Sequence, residues 1–494
     1  MSVKHNFIYN LIYQILALIL PLLTAPYVSR ALGASNLGVY SYTYSIAYYF
    51  VLVAMLGVNN YGNREVARVR ENAEELKSVF WEIWTLQFVL SVICTTVYLI
   101  YSVLVSENVV ISLIWIPYVI SAAFDINWLF FGLEQFKLTA TRNTIIKIIT
   151  VILTLCLVRG EYALEAYVFI MAAQFFISAS ALWPIALREA PPTRVSPRGV
   201  ISHLKPNLVL FVPVIAVSLY TVLDKVMLGA MSTMEQAGYF ENAFKVANMP
   251  FTIITALGTV MLPHATNLYA AGRNDEAVDY MAPSMWMAML LSSAFCFGLI
   301  TITPELTPVF FGPGYDPCTE IMTIIVLDMP FMAWANVIRT QWLIPTGRDR
   351  SYIVSVIIGA IVNLSLNYML IPTYGAIGAA VGTLAAEISV CVVQTIAVRK
   401  DLPLRKWFTE MLPGLLIGVI TLVAVRLIST LTIADTGGLL IEIAATALIF
   451  IAQSVIWYSA TNNPYAERLF FKPLRSALYA KWQQGSSKSI EGDK

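Results

Sequence analysis

Six ionisable side chains stand inside long apolar stretches of the sequence: Asp224 beside Lys225, Glu241 four residues before Lys245, and Asp328 eleven residues before Arg339. A charge near the middle of a bilayer costs about 2.5 to 3.5 kcal/mol on insertion scales, so each group requires a partner, an aqueous cavity or a function. Adjacent residues on a helix point about 100° apart. Asp224 and Lys225 therefore cannot share a face, and at least one must reach toward another helix. Glu241 and Lys245 have the spacing of a helical ion pair, with Asn248 a turn further on. They read as a structural bridge at a helix end or as part of a polar site. Eleven residues are three turns, which puts Asp328 and Arg339 on one face, with Asn336 a turn before the arginine. That stripe must face a cavity or another helix. Lysines and arginine in a partly desolvated space would hold an anion, and the carboxylates Asp224, Asp328 and Glu387 would hold or exchange a cation. Tyr40, Tyr44 and Tyr48 follow one another down one helix face and offer hydroxyls and rings to a polar cargo, unless they form an interfacial belt.

Composition decides which elements carry these groups. The 494 residues are 58% hydrophobic and 12% charged, against about 25% charged for a soluble domain. That excludes a soluble enzyme. The charges nearly cancel, 31 Lys and Arg against 30 Asp and Glu, so nothing global attracts nucleic acid. A bilayer core of about 30 Å needs roughly 20 apolar residues in helix. Fourteen such runs are present, over approximately 8–28, 39–58, 80–104, 110–132, 144–158, 164–187, 207–230, 242–262, 281–303, 320–343, 351–371, 375–398, 409–430 and 437–459. The alternation of a barrel strand is missing, and in hydrocarbon each backbone group must be satisfied within its segment, so the runs are predicted to be helices. With the N-terminus in the cytoplasm, 25 of the 31 basic residues fall in cytoplasmic connections and tails and only Arg30 and Arg159 outside. One helix more or fewer would destroy that asymmetry, which predicts both termini inside. The basic, proline-bearing stretch 191–206 is expected to link a lobe over 1–190 (helices 1–6) to one over 207–400 (helices 7–12). Two further helices, 401–460, and a basic cytoplasmic tail, 461–494, complete the expected domains.

Little in the chain points to catalysis. Cys94, Cys156, Cys296, Cys318 and Cys391 are scattered, as are His5, His203 and His264, so no metal site is predicted. No Gly-Lys dipeptide occurs, which excludes a P-loop for ATP. No cofactor is expected, and transport would have to be secondary or downhill. The sequence leaves open whether an ion or the membrane potential drives it. The two halves echo one another weakly: Leu32-Gly33 is followed by Gly38 and Tyr40, and Leu228-Gly229 by Gly238-Tyr239. Same-orientation repeats would surround a central cavity in a pseudo-twofold arrangement.

Specific blocks then carry a family resemblance. Thr24-Ala25-Pro26-Tyr27-Val28-Ser29-Arg30-Ala31-Leu32-Gly33, Gly38-Val39-Tyr40-Ser41-Tyr42 and Tyr61-Gly62-Asn63-Arg64-Glu65-Val66-Ala67 resemble the opening of the Wzx-type flippases of O-antigen and capsular polysaccharide repeat units. Leu223 to Gly229, Gly238 to Ala243, and Asn367-Tyr368 through Ile371-Pro372-Thr373-Tyr374-Gly375 to Ala380 are similar to later parts of that family. These later blocks are shared with the wider MOP superfamily, which includes lipid II flippases and multidrug (MATE) exporters. The resemblance implies an all-α, fourteen-helix, two-lobed transporter of the bacterial inner membrane. It implies a cargo of undecaprenyl-diphosphate-linked oligosaccharide moved outward by alternating access, with a polymerase and chain-length proteins as partners in lipopolysaccharide or capsule assembly.

For that cargo Arg30, Lys225, Lys245 and Arg339 are the expected cationic cavity residues. Asp224, Glu241, Asp328, Asn248 and Tyr40 are the expected polar or coupling groups. Pro21 and Pro26 are expected to bend the first helix and to serve either as a hinge leading into Arg30 or as a static kink. The alternatives are a MATE-like cation antiporter, against which Lys225, Lys245 and Arg339 argue, and a membrane glycan polymerase or ligase. The latter would want a large outer loop, and no outer connection exceeds about fifteen residues.

Overall fold

The computed structural model describes residues 3–429 and 436–473, with backbone alone at 3–19, 21, 257, 259 and 260. Most of the expected basic tail, 474–494, lies outside the described residues. All regular structure among the described residues is helical. Among the described residues twelve helices are long and apolar enough to cross a membrane. Serine and threonine survive inside them because their hydroxyls donate to the carbonyl a turn back, as Thr43 does to Val39 O (2.7 Å), Ser102 to Tyr98 O (2.8 Å) and Thr303 to Leu299 O (2.6 Å).

The difference from fourteen lies in two very long helices, Val3–Met55 and Asp349–Val398. A straight 50-residue helix is about 75 Å long, more than twice the hydrocarbon thickness. Each contains one residue with non-helical backbone, Gly33 (φ 71°) and Gly375 (φ 53°). At Gly375 the chain doubles back. Arg348 and Asp401, at opposite ends of that helix, meet at 2.5 Å, and Gln394 donates to Ser355 Oγ at 3.0 Å. Gln236 Oε1 accepts from Ala376 N at 2.9 Å and caps the returning segment. A glycine reverses the chain within one residue because it alone enters positive φ without strain. The turns expected around 29–38 and 372–374 are accordingly helical up to a single glycine. Reporter fusions at Ser106 and Thr233 are expected to read outside, and at Asn72 and Arg194 inside. An outside reading at Asn72 would mean that Val3–Met55 crosses once and would sink the two-pass reading of Gly33.

The bend or hinge expected at Pro21 and Pro26 leaves no mark in the backbone dihedrals of that helix. Gly33 is the one residue with non-helical backbone in Val3–Met55, and both prolines lie in helical backbone. Proline's fixed φ near −65° suits a helix; what it lacks is one N–H. Ser29 Oγ and Thr24 Oγ1, donating to Ala25 O (2.7 Å) and Leu20 O (3.2 Å), hold the turns around Pro26.

The chain forms two compact units. The first comprises Met1–Val246, Phe310–Ile325 and Val356–Ala386; the second Ala247–Val309, Val326–Ser355 and Glu387–Lys494. In the first, the helix through Asp125 opens at that residue (ψ 101°). The fully buried Gln87 stitches the opening: its Nε2 donates to Ala122 O and Asp125 O at 2.5 and 2.8 Å, and its Oε1 accepts from Trp128 Nε1 at 3.1 Å. The echo motifs of the two sequence halves meet in the same unit. A Cβ on Gly38 would lie 1.6 Å from Met234 O, and one on Gly238 1.9 Å from Ala34 O, each 3.1 Å from the other glycine's nitrogen. This reciprocal contact, each motif touching the other at the matching residue, is the relation a local twofold produces. The second unit's core gathers Met285, Trp286, Ala333, Leu343, Trp407 and Tyr458.

Candidate functional site

In the first unit Asp224 and Lys225 begin the Leu223–Met231 helix and diverge as their 100° separation requires. Asp224 is 1% exposed. Its oxygens accept from Asn367 Nδ2 (2.6 Å) and Thr383 Oγ1 (2.7 Å), which face each other across the reversal at Gly375. Asn367 Nδ2 also bonds Asn363 Oδ1 at 3.1 Å, while Asn367 Oδ1 and Asn363 Nδ2 are buried without a partner. The result is a desolvated carboxylate held by neutral donors, with a spare amide oxygen beside it. Such a setting suits a proton or a small cation.

Lys225 turns the other way, to Glu241 on the Met234–Ala270 helix, Nζ to Oε2 2.6 Å. Ser41 Oγ donates to the same carboxylate oxygen at 3.0 Å. Both charged side chains are about nine-tenths buried, 12% and 11% exposed. The i,i+4 partner, Lys245, makes no ion pair within 4 Å among the described residues, yet Glu241 and Tyr167 lie within its electrostatic reach. The ion pair of Glu241 is thus with Lys225 and not with Lys245. Two lysines act on Glu241, and Lys225 acts on its neighbour Asp224 as well.

Tyr40 packs among Tyr167, Trp115 and Tyr44 with ring centroids 4.8, 5.7 and 6.1 Å away and is 8% exposed. Trp115 Nε1 donates to Thr43 Oγ1 at 3.1 Å. This aromatic wall stands against the Glu241 region, whose charge acts on Tyr40 and Tyr44. Arg30 is exposed, and its stem runs over Gly312, where a Cβ would stand 3.1 Å from Arg30 Cγ. Its neighbour Ser29 is pinned by Asn242 Nδ2 (2.9 Å, to Oγ) and Tyr315 Oη (2.8 Å, to the carbonyl).

Arg339, Asp328 and Asn248 belong to the second unit. Asn248 sits a turn beyond Lys245 on the shared helix. Asp328 is 4% exposed and stands at the turn 327–328 that precedes the Met329–Ile338 helix, with no side-chain cap hydrogen bond. Arg339 opens a π turn, Arg339–Leu343. Its Nη2 donates to Asn336 Oδ1 at 2.7 Å, and its guanidinium lies 5.6 Å from the Tyr352 ring centre. Glu387, 7% exposed, lies within electrostatic reach of both Asp328 and Arg339. Of the predicted stripe, Asn336 and Arg339 bond each other, while the charged neighbour that acts on Asp328 is Glu387. Of the four expected cations, three lie in the first unit and Arg339 in the second.

Several partners escape a reading of the sequence. Ser41 and Thr383 are small polar residues of a kind common in membrane helices, and nothing in their spacing marks them. Asn363 and Asn367, at i,i+4, did carry a signal. Arg142, expected in an inner connection, donates to Asn127 Oδ1 (2.8 Å) and Ser178 O (2.5 Å). Arg426, inside an apolar run, pairs with Glu305 at 2.9 Å.

Comparison with known proteins adds to this geometry. The family described as polysaccharide biosynthesis protein matches residues 3–269, more than half of the chain, and the MatE family matches 210–369. A protein of Escherichia coli (strain K12) named as an O-antigen transporter is 24% identical over 407 residues, covering 81% of this chain and 98% of its own. One of Shigella dysenteriae with the same name is 25% identical, over 77% of this chain and 96% of that protein. Among solved structures, a lipid II flippase, MurJ, in an inward closed conformation superposes with a TM-score of 0.72 at 17% identity, covering 93% of this chain and all of that one. At that identity the likeness concerns the fold.

Proposed function

Because the chain belongs to the polysaccharide biosynthesis protein family, we propose that it is a flippase for a lipid-linked oligosaccharide. The cargo is a repeat unit on undecaprenyl diphosphate, moved by alternating access from the cytoplasmic to the outer leaflet of a bacterial inner membrane. The O-antigen transport named for its relatives supports this cargo. The observation that carries the reading is the pair of buried lysines in the first unit, of which Lys225 is bridged to Glu241 and Lys245 makes no ion pair within 4 Å among the described residues. A diphosphate leaving the head-group layer needs its counterions replaced, and Lys245 is the cation placed to do so. The aromatic wall of Tyr40, Tyr44 and Trp115 provides stacking and hydroxyl partners for sugars.

No P-loop is present, so energy comes from the membrane. A cytoplasm-negative potential contributes about 2.3 kcal/mol per charge per 100 mV to outward movement of an anion. Asp224 is the coupling carboxylate we favour over Asp328, because Asn367 and Thr383 hold it while an amide oxygen beside it stays unbonded. The second reading, a MATE-like cation antiporter, draws on the MatE match over 210–369. Lys225 and Lys245 would repel a cationic cargo.

Alanine at Lys225, Lys245, Arg30 or Arg339 is expected to lower surface polysaccharide and to leave lipid-linked repeat units in the inner leaflet, with membrane insertion intact. Lys225→Arg is expected to retain export and Lys225→Gln to lose it. Normal export in all four alanine variants would overturn the cationic site.

A further inference from the structure

The connection Arg399–Pro403 joins the returning half of the Asp349–Val398 helix to the Leu404–Ser429 helix, both membrane spans. It borders a wide-open cleft of about 790 Å³, lined by Leu402, Pro403 and Leu404 and by Arg399, Arg405 and Lys406. Lys400 adds a fourth positive charge beside it. The connection's one acid, Asp401, is already neutralised by Arg348 at 2.5 Å. Glu410 approaches Lys406 only to 4.0 Å. Among the described residues the side chains of Arg399 and Arg405 have no hydrogen bond or ion pair. Immediately beyond the cleft, Phe408, Leu412 and Leu416 are 56%, 38% and 53% exposed and continue along the same helix into the apolar band.

An unneutralised basic cleft bordered by exposed apolar side chains matches the two ends of one molecule, an anionic head and its acyl chains. We propose that this cleft is a binding site for the phosphate head-group of an anionic phospholipid, with the acyl chains lying along Phe408, Leu412 and Leu416. Basic pockets between membrane helices at head-group depth bind such lipids through charge and hydrogen bonding, and arginine's planar fork suits phosphate oxygens. The inference needs only that the chain crosses a membrane, and it stands whether or not the cargo assignment holds.

The test uses the whole chain in nanodiscs of phosphatidylcholine doped with phosphatidylglycerol, with retained lipid counted by native mass spectrometry. Preferential retention of phosphatidylglycerol is expected, falling about thirtyfold in affinity in Arg399→Gln/Arg405→Gln, as loss of two surface cations predicts. Retention should also fall in the unaltered protein on raising salt, which keeps the test valid should the variant misfold. Equal retention of the two lipids, or a double variant that holds phosphatidylglycerol like the parent, would overturn the proposal. A parallel arm adds inorganic diphosphate to pure phosphatidylcholine discs. Thermal protection by diphosphate that the double variant loses, without any phosphatidylglycerol preference, would assign the cleft to a phosphate anion of another source and overturn the lipid reading.

Discussion

Glu241→Ala is expected to destabilise the protein by about 3 to 5 kcal/mol and to abolish export, because it strands Lys225 in a site nine-tenths closed to solvent. Removing one member of a buried pair leaves the other charge desolvated and uncompensated. Removing both is far milder. The pair of variants to measure is therefore Glu241→Ala alone and Glu241→Ala/Lys225→Met, by thermal unfolding in detergent and by surface polysaccharide in cells. The double variant should recover most of the lost melting temperature and none of the export. Recovery of export as well would show the bridge to be structural only, and the positive charge at position 225 would have no part in transport.

The second large effect comes from a backbone. Gly38 and Gly238 cross so closely that a single methyl group on Gly38 would overlap a carbonyl oxygen at 1.6 Å. Overpacking a core costs about 1 to 3 kcal/mol when neighbouring side chains can yield. Here the neighbour is main chain within a helix, so Gly38→Ala is expected to exceed that range and Gly38→Val to leave no folded protein. Gly33→Ala is the control: a Cβ there meets nothing within 4 Å, so its only penalty is the positive φ, about 1 to 3 kcal/mol. Folded yield on size-exclusion chromatography should rank the parent above Gly33→Ala and Gly33→Ala well above Gly38→Ala. The reverse order would mean that the helices part easily at this crossing.

What the sequence made legible follows from the range of each interaction. Apolar runs and basic connections are local, and they predicted helices where helices stand. The stripe Asp328–Asn336–Arg339 was legible in part: Asn336 and Arg339 bond each other a turn apart, whereas Asp328 stands at the turn that precedes their helix. The partners of Asp224 were not, because Asn367 and Thr383 lie 143 and 159 residues away and meet it only through the reversal at Gly375. Gly33 and Gly375 show a different limit. A loop announces itself by several polar residues, whereas a chain that turns on one glycine looks like an uninterrupted or slightly interrupted helix. Pro21 and Pro26 are the louder signal, yet the residue with non-helical backbone in that helix is Gly33.

The π turn at Arg339–Leu343 has a consequence for how that arginine could travel. A π turn holds one residue more than an α turn, so the turn at 344–347 that follows it leaves the Met329–Ile338 helix about 100° out of phase with an unbroken α-helix. Such a surplus residue need not stay put. If it migrated one step back into the Met329–Ile338 helix, that segment would remain helical while Arg339 swung by about a quarter of a circle, away from Asn336 and toward another face. The helix would then work like a vernier, in which a displacement of one residue is read out as a rotation, and a guanidinium could change its company with little movement of the helix ends.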